Sequence, residues 1–310
     1  MSCSLLGPEQ ISNPPSPPQS IGCSNATNKS AQSSINCIYQ AQVAHLACKI
    51  IVTWCKNIIN HCLSITVENA SQENQSTYRI ELKPWQFWSK KGLKSIELGN
   101  KRIDVFWDFR LAKFSSSSPE PCSDYYIAMV YSEEVALLLG DLKIEAYNRT
   151  RSRPSLVEAS LLCREETVFG KKCFCTRTTF GNGKKEHNVI IEYSLTEPGD
   201  SEMWISIEGI VMIRIMNLHW RFRGNETVLV DNRPVQIFWD VHNWVFRSAA
   251  VGHGLFIFKP GKLESASAAD VSGSSGDRRK NGNTIGEVSV PGHRPTAMEF
   301  CHFLYAWKIE

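Results

Sequence analysis

The chain has 310 residues, 42% of them hydrophobic and 10% aromatic, a composition typical of a folded globular protein rather than a disordered one. Its formal net charge of +3 is too small to favour nucleic acid as a partner. No apolar run approaches the ~20 residues of a membrane-spanning helix, and the first residues lack the apolar segment of a secretory signal. We therefore expect an intracellular protein, cytoplasmic or nuclear, without a transmembrane segment.

The N-terminal residues 1–35 are rich in Ser, Pro, Asn and Gln, which predicts a disordered tail. From residue 36 onward, short runs of β-branched and aromatic residues alternate with turn residues, as in consecutive strands. The predicted strands of this first part cover 37–42, 49–55, 63–68, 77–82, 95–98, 102–107, 125–131 and 134–139. Residues 141–148 then predict one short helix, with Asp141 as its N-cap.

The second part of the chain continues the strand pattern. Its predicted strands cover 155–163, 171–179, 188–194, 203–208, 211–217, 218–222, 227–230, 235–239 and 255–258. Residues 259–295 return to Ser, Gly, Ala and charged residues, which predicts a disordered loop. The last residues, with Phe300 and Trp307 among them, are too apolar for a free tail and predict a final strand or a short helix.

Two stretches of the chain repeat each other. Trp88 recurs as Trp220, and the triplet Phe-Trp-Asp at 106–108 recurs at 238–240, in both cases 132 positions later. This shared register predicts an internal duplication of one β-unit, with copy one at about 49–114 and copy two at about 188–246. The range 120–180 is then an insertion that adds strands and the helix.

Regular short strands separated by loops predict an all-β fold. We expect an antiparallel β-sandwich or two packed β-lobes built from the internal duplication, with one short helix. The ordered domain then covers 36–258 and 296–310, and the loop 259–295 interrupts it.

Several long motifs resemble one known family. They are VFGKK at 168–172 followed by Thr176 and Phe180, LLLGD at 137–141, the segment 220–246, and FLYAWKIE at the end. Together they resemble the plant-specific family catalogued as domain of unknown function 868, over most of 36–310 outside the loop. The resemblance implies a plant origin and an intracellular all-β protein. The family has no established activity, cofactor or catalytic residue that the resemblance could transfer.

The residues themselves give little sign of catalysis. Eleven cysteines without a Cys-x-x-Cys pair favour free thiols in a reducing compartment. Cys173 and Cys175 share a strand face, but two thiols do not complete a zinc site, and no loop clusters enough carboxylates for calcium. Glycine-rich phosphate loops and a Gly-x-Ser-x-Gly motif are absent from the sequence. We predict no metal, no cofactor and no catalytic residue, which favours a non-enzymatic role.

Histidines distinguish the second copy from the first. His219 stands where the first copy has Phe87, and both His219 and His242 are extra histidines of the second copy. Because a site usually needs only one copy, this asymmetry places any site in copy two. On a strand, His242 and Asp240 would share a face as an acid–base pair does, but no nucleophile accompanies them, which favours structural histidines.

Aromatic residues alternate with arginines at 220–223. The alternation favours a half-buried strand with Trp220 and Phe222 inward, and the alternative is recognition of single-stranded nucleic acid. The two Phe-Trp-Asp triplets predict core aromatics and a strand-ending aspartate, or else twin platforms for a sugar or lipid headgroup. The candidate binding residues are Trp239, Asp240, His242, His219, Arg221 and Arg223.

Two functions follow from these patterns. The first is a non-enzymatic intracellular binding or scaffold protein with a protein partner. The second is a module that binds a small ligand, lipid or carbohydrate, or an enzyme, with a cleft between the two β copies.

Overall fold

The computed structural model describes residues 33–43, 46–57, 60–69, 75–82, 90–98, 101–115, 118–180, 185–195, 201–247, 252–261 and 300–309. Over these residues the fold is all-β, as predicted, with two short helices. The predicted disordered ranges 1–35 and 259–295 lie mostly outside the described residues. The first strand nevertheless begins at Ser33, and a later strand continues to Pro260.

Within the described residues, the first half of the chain contains twelve strands and one helix. They are β1 (Ser33–Val43), β2 (Leu46–Lys56), β3 (His61–Asn69), β4 (Gln75–Leu82), β5 (Lys91–Leu98), β6 (Lys101–Asp108), β7 (Lys113–Phe114), β8 (Pro121–Ser123), β9 (Tyr126–Tyr131), β10 (Glu134–Gly140), α1 (Lys143–Thr150), β11 (Arg153–Pro154) and β12 (Ser160–Gly170).

The described part of the second half contains eight strands and a short helix. They are β13 (Cys173–Thr179), β14 (Glu186–Ser194), β15 (Glu202–Ile207), β16 (Ile210–Ile215), β17 (Arg223–Val230), β18 (Arg233–Asp240), α2 (His242–Phe246), β19 (His253–Pro260) and β20 (Cys301–Lys308). The C-terminal segment is thus a strand, one of the two predicted forms. Within the described part of the chain, no helix is long and apolar enough to cross a membrane.

Each half is a pair of four-stranded antiparallel meanders in chain order. In the first half they are β1–β4 and then β5, β6, β9 and β10, and in the second half β13–β16 and then β17–β20. Strand β12 pairs antiparallel with β1 and parallel with β20. The first meander of one half and the last meander of the other therefore join through β12 into one nine-stranded sheet.

Two main cores lie between the facing meanders. In the first half, Trp54 of β2 is buried against Phe109 and Tyr125, with ring centroids 5.8 and 6.0 Å away. In the second half, Trp244 of α2 is buried between Phe174 and Tyr193, at 5.0 and 4.9 Å. Burial of each such aromatic side chain stabilises the fold by about 1.5–3 kcal/mol.

A glycine opposite a tryptophan recurs in both halves. Gly92 faces Trp107 across β5 and β6, and Gly224 faces Trp239 across β17 and β18. A Cβ atom added at Gly92 would lie 2.4 Å from the Trp107 ring, and one at Gly224 would lie 2.5 Å from the Trp239 ring. Each indole therefore lies flat over a backbone that has no side chain, which explains why glycine and tryptophan recur together.

Several details differ from the predicted elements. Residues 218–222 form a turn and not a strand. Asp141 does not cap α1; its carboxylate accepts hydrogen bonds from the backbone of Asp124 and Tyr125 at 3.0 and 3.1 Å. Strands β9 and β10 lie inside the predicted insertion 120–180, yet they pair with β6 and complete the second meander of the first half.

Candidate binding surfaces

The segment between β16 and β17 is an exposed turn. Asn217 adopts a positive φ of 55°, and its carbonyl accepts hydrogen bonds from the backbone N–H groups of Trp220 and Arg221 at 2.9 and 3.1 Å. Leu218 is fully buried and anchors the turn. Trp220, by contrast, is 88% exposed. The expectation of a strand with Trp220 inward is therefore wrong, because Leu218 fills the core and the turn carries Trp220 outward.

Four aromatic rings form a patch beside this turn, which we name the ring patch: His219, Phe222, His242 and Phe246. The ring of Phe222 lies 5.3 Å from His242 and 5.4 Å from Phe246. His242 lies 4.9 Å and His219 6.0 Å from Phe246. Phe246 remains 51% exposed, so the patch offers apolar surface to solvent next to Trp220 in the sequence.

Trp239 lies beneath the turn instead of on the surface. It is 3% exposed, and its indole N–H donates to the backbone carbonyl of Arg221 at 3.1 Å. Trp239 therefore cannot act as an exposed platform. Its hydrogen bond holds the turn that carries Trp220.

The charged candidates around the patch are paired within the protein. The Asp240 carboxylate accepts from the Arg223 guanidinium at 2.7 Å and from the backbone N–H of His242 at 3.1 Å. Arg221 lies 3.5 Å from Glu226. The hydrogen bond between His242 and Asp240 comes from the backbone N–H of His242. Its imidazole packs among the rings of the patch, so the two side chains do not form an acid–base pair.

A second surface is a cleft of about 470 Å³ where the two halves meet. Residues of the β7–β8 segment, β12, β13, β14 and the β15–β16 turn line it: Ser115, Ser118, Cys122, Arg164, Glu166, Cys175, Thr176, Arg177, Asn188, Val189, Ile190, Glu208 and Gly209. None of these lining residues is aromatic, and most are polar.

The floor of the cleft is a buried ionic network on β12. Arg164 donates to Glu120 at 2.9 Å and lies 3.6 Å from Glu166. The Thr176 hydroxyl donates to Glu166 at 2.5 Å. His302 of β20 is fully buried, with its Nε2 atom 3.4 Å from the same carboxylate. Residues from both halves therefore meet at this carboxylate.

Burial and charge act in opposite directions on these groups. Burial raises the pKa of Glu166, but His302, Arg164 and Thr176 outweigh it and hold this pKa below its ordinary value. Burial lowers the pKa of Arg164, but the Glu120 charge and its neighbours raise it well above the ordinary value. Burial lowers the pKa of His302. The network therefore contains a charged Arg164 and Glu166 with a neutral His302.

The sequence does not reveal this network. Arg164 and Glu166 lie on one face of β12, and Cys163 and Glu165 lie on the other. Neither face is therefore apolar. The predicted strand stopped at residue 163 and left both out. Their burial depends on β1 and β20 pairing on either side of β12, which no local pattern encodes.

No group of three or more His, Cys, Asp or Glu side chains in the described ranges could bind a metal ion. None of the nine cysteines that the structure describes forms a disulfide bond.

Comparisons with known proteins complete the description. The family model described as a plant protein of unknown function (DUF868) matches residues 30–308. Comparison of the chain with curated proteins and with solved structures finds no match in either.

Proposed function

Because this chain belongs to the DUF868 family of plant proteins of unknown function, we propose its role from its own surface. It is a non-enzymatic intracellular binding protein that holds a protein partner at Trp220 and the ring patch. Its two halves are copies of one duplicated β-unit, and this surface belongs to the second of them.

The exposure of Trp220 is the observation that carries this proposal. Tryptophan is enriched among the residues that dominate binding energy in protein interfaces, and a contiguous exposed apolar surface is typical of an interaction site. The turn that carries Trp220 is fixed by buried Leu218 and by the indole of Trp239. A fixed turn loses little conformational entropy when a partner binds.

The described part of the first half differs at two of the ring-patch positions. The positions that match Phe222 and His242, 132 residues earlier, are Lys90 and Arg110. The Arg110 guanidinium lies 2.8 Å from the Asp108 carboxylate, and this side chain has no aromatic ring. The asymmetry agrees with a site that only one copy retains.

The charge around the patch favours a partner with carboxylates near an apolar side chain. Arg221 and Arg223 flank Phe222 in the sequence, and the exposed Arg247 follows Phe246, against the carboxylates of Glu226 and Asp240. Arginine is a common hot-spot residue because its planar group binds carboxylates with two hydrogen bonds.

Binding by the full chain tests the proposal. We compare Trp220→Ala with Leu156→Ala, since Leu156 is 97% exposed but lies outside the patch. Tagged chains are isolated from plant cells, and purified partners are then titrated by calorimetry. Trp220→Ala should weaken a partner by about thirtyfold, the equivalent of a ~2 kcal/mol hot spot, whereas Leu156→Ala should not. Equal binding by both variants would contradict the proposal.

A second candidate function is binding of a small polar molecule in the cleft. The observation that favours it is the set of polar side chains that lines the cleft above a buried Arg164–Glu166 pair, placed between the two halves. The lining offers hydrogen-bond donors and acceptors but no aromatic platform, so it favours a small polar ligand over a lipid or a stacked sugar.

Native mass spectrometry of the gently isolated full chain tests this candidate. Arg177 lines the cleft and pairs with Glu186 at 3.1 Å, whereas Arg214 pairs with Glu202 at 2.8 Å away from it. A stoichiometric small mass should be lost in Arg177→Ala and kept in Arg214→Ala. The absence of any bound small mass in the wild-type chain would count against this candidate.

A further inference from the structure

Two accessible thiols lie side by side on β13. Cys173 and Cys175 are two residues apart on one strand face, both are exposed, and their sulfur atoms are 3.8 Å apart. Strand β13 pairs with β14 on one side only, within a four-stranded sheet in which it is the first strand. Cys175 also lines the cleft.

The other cysteines offer useful contrasts. Of the nine described thiols, only Cys122 is also exposed, and it contacts the Arg177 guanidinium at 3.9 Å instead of a second sulfur. Cys163 and Cys301 are opposite each other on β12 and β20, but both are only half-exposed. Burial raises the pKa of Cys163 to about 12, which suppresses its reactive thiolate form.

We propose that Cys173 and Cys175 form a reversible dithiol–disulfide couple at the mouth of the cleft, oxidised by a low-molecular-weight disulfide such as oxidised glutathione. This inference does not depend on the protein-binding role of the ring patch.

The chemistry proceeds in two exchanges. The Cys175 thiolate attacks one sulfur of the small disulfide, which breaks that bond, forms a mixed disulfide on Cys175 and releases one small thiolate. The Cys173 thiolate then attacks the Cys175 sulfur and releases the second small thiolate. In total, the two cysteines lose two electrons and two protons, and the small disulfide becomes two thiols.

The order of attack follows from the surroundings of the two sulfurs. Burial and the neighbouring Cys175 raise the pKa of Cys173 to about 11. A thiol with a raised pKa attacks slowly, so Cys173 acts second, when the mixed disulfide has placed an electrophilic sulfur beside it. Cys175 acts first because it faces the cleft through which a small molecule arrives.

The resulting disulfide is strained and therefore reversible. A disulfide bond is about 2.05 Å long, so the two sulfurs must approach from 3.8 Å and the strand must contract between neighbouring residues of one face. The free edge of β13 can move without breaking a second strand pairing. Strained, exposed disulfides are easily reduced and serve as labile pairs rather than structural ones.

Digestion with trypsin isolates both thiols on one short peptide. It cleaves after Lys172 and Arg177, so residues 173–177 are released as one peptide that contains both thiols and no other cysteine. The full chain is treated with oxidised glutathione, free thiols are alkylated, and the peptide is analysed by mass spectrometry. The wild-type peptide should lose two hydrogens and resist alkylation, and dithiothreitol should restore two alkylatable thiols.

Cysteine-to-serine variants distinguish the dithiol–disulfide couple from general thiol reactivity. Cys173→Ser should stop at one glutathione on Cys175, Cys175→Ser should leave Cys173 mostly free, and Cys122→Ser should behave as the wild type does. The proposal is overturned if Cys122 and Cys175 acquire glutathione equally and no internal disulfide forms in the wild-type chain. Thermal unfolding of each variant shows that the fold is intact.

Discussion

The two halves of the molecule share their interior contacts and differ at their surfaces. Each places a glycine under a tryptophan, Gly92 under Trp107 and Gly224 under Trp239. Each also closes the end of this hairpin with one backbone hydrogen bond, from Phe109 to Lys90 at 2.6 Å and from Val241 to Phe222 at 2.8 Å. These matching glycines and tryptophans therefore serve packing, and the residues that differ around the ring patch are the ones to examine for function.

The aspartates of the two Phe-Trp-Asp triplets, Asp108 and Asp240, differ in their surroundings. Asp108 is bound by Arg110 at 2.8 Å and Lys91 at 3.4 Å, and its side chain is 11% exposed. Asp240 is bound by Arg223, and its side chain is 34% exposed. The ion pair across the hairpin is retained, but in the second half the residue two positions later is His242, which joins the ring patch.

The largest expected effect tests whether the two tryptophans have the same structural role. Trp107→Ala and Trp239→Ala should each lower the free energy of unfolding by ~3–5 kcal/mol, because each removes a large buried ring. Urea denaturation followed by circular dichroism measures both. Trp220→Ala is the control and should change this free energy by less than ~0.5 kcal/mol. A large loss in one half alone would show that the two tryptophans are not equivalent.

A smaller effect distinguishes the two aspartates. Asp108→Asn should cost ~1.5–3 kcal/mol as a mostly buried, charge-assisted hydrogen-bond acceptor, and Asp240→Asn ~0.2–1 kcal/mol as a more exposed ion pair. Denaturation of both variants at neutral pH gives the comparison. Equal losses would mean that the difference in burial has no energetic consequence.

The pH dependence of Asp108 follows from its surroundings. Burial raises the pKa of Asp108, but the hydrogen bonds and charge of Arg110 outweigh it and hold this pKa below the ordinary value of 3.8. A depressed pKa stabilises the fold above the ordinary value, and this stabilisation is lost as the pH falls through the folded-state pKa. The gap between the wild type and Asp108→Asn should therefore close in acid below pH 3.8.

An effect that develops only on acidification concerns His302, in the buried network between the halves. Burial lowers the pKa of His302 from its ordinary value of 6.5. Below that pH, this histidine therefore binds a proton in the unfolded chain but not in the folded one. The free energy of unfolding should fall with acidification by at most ~1.4 kcal/mol per pH unit for this proton. His61 and His253 have lowered pKa values for the same main reason.

Denaturation between pH 7 and pH 5 measures this slope. In His302→Asn the slope should be shallower than in the wild type but not zero, since His61 and His253 remain. An unchanged slope would show that His302 plays no part in the acid sensitivity of the fold. The slope is the informative quantity, because the substitution itself lowers stability at every pH.

Some candidate residues were accessible to sequence reasoning and others were not. The contrast between His219 and Phe87, and the extra His242, directed attention to the second half, where the ring patch lies. The alternation at 220–223 was misleading, because a turn stabilised by the Asn217 carbonyl has the same letters as a half-buried strand. Arg164, Glu166 and His302 were missed, since they come from distant parts of the chain.

The sequence by itself determined the all-β class and most strands, because alternating apolar residues and turn residues act locally and set which face of each strand is buried. It also determined the common interior of the two halves, through glycine and tryptophan placed at one spacing. Only the tertiary structure decided that β12 joins the halves, that Trp220 points outward, and that Arg164 and Glu166 lie under a cleft. These features depend on pairings between distant strands and on competition for space in the core, which no short segment specifies.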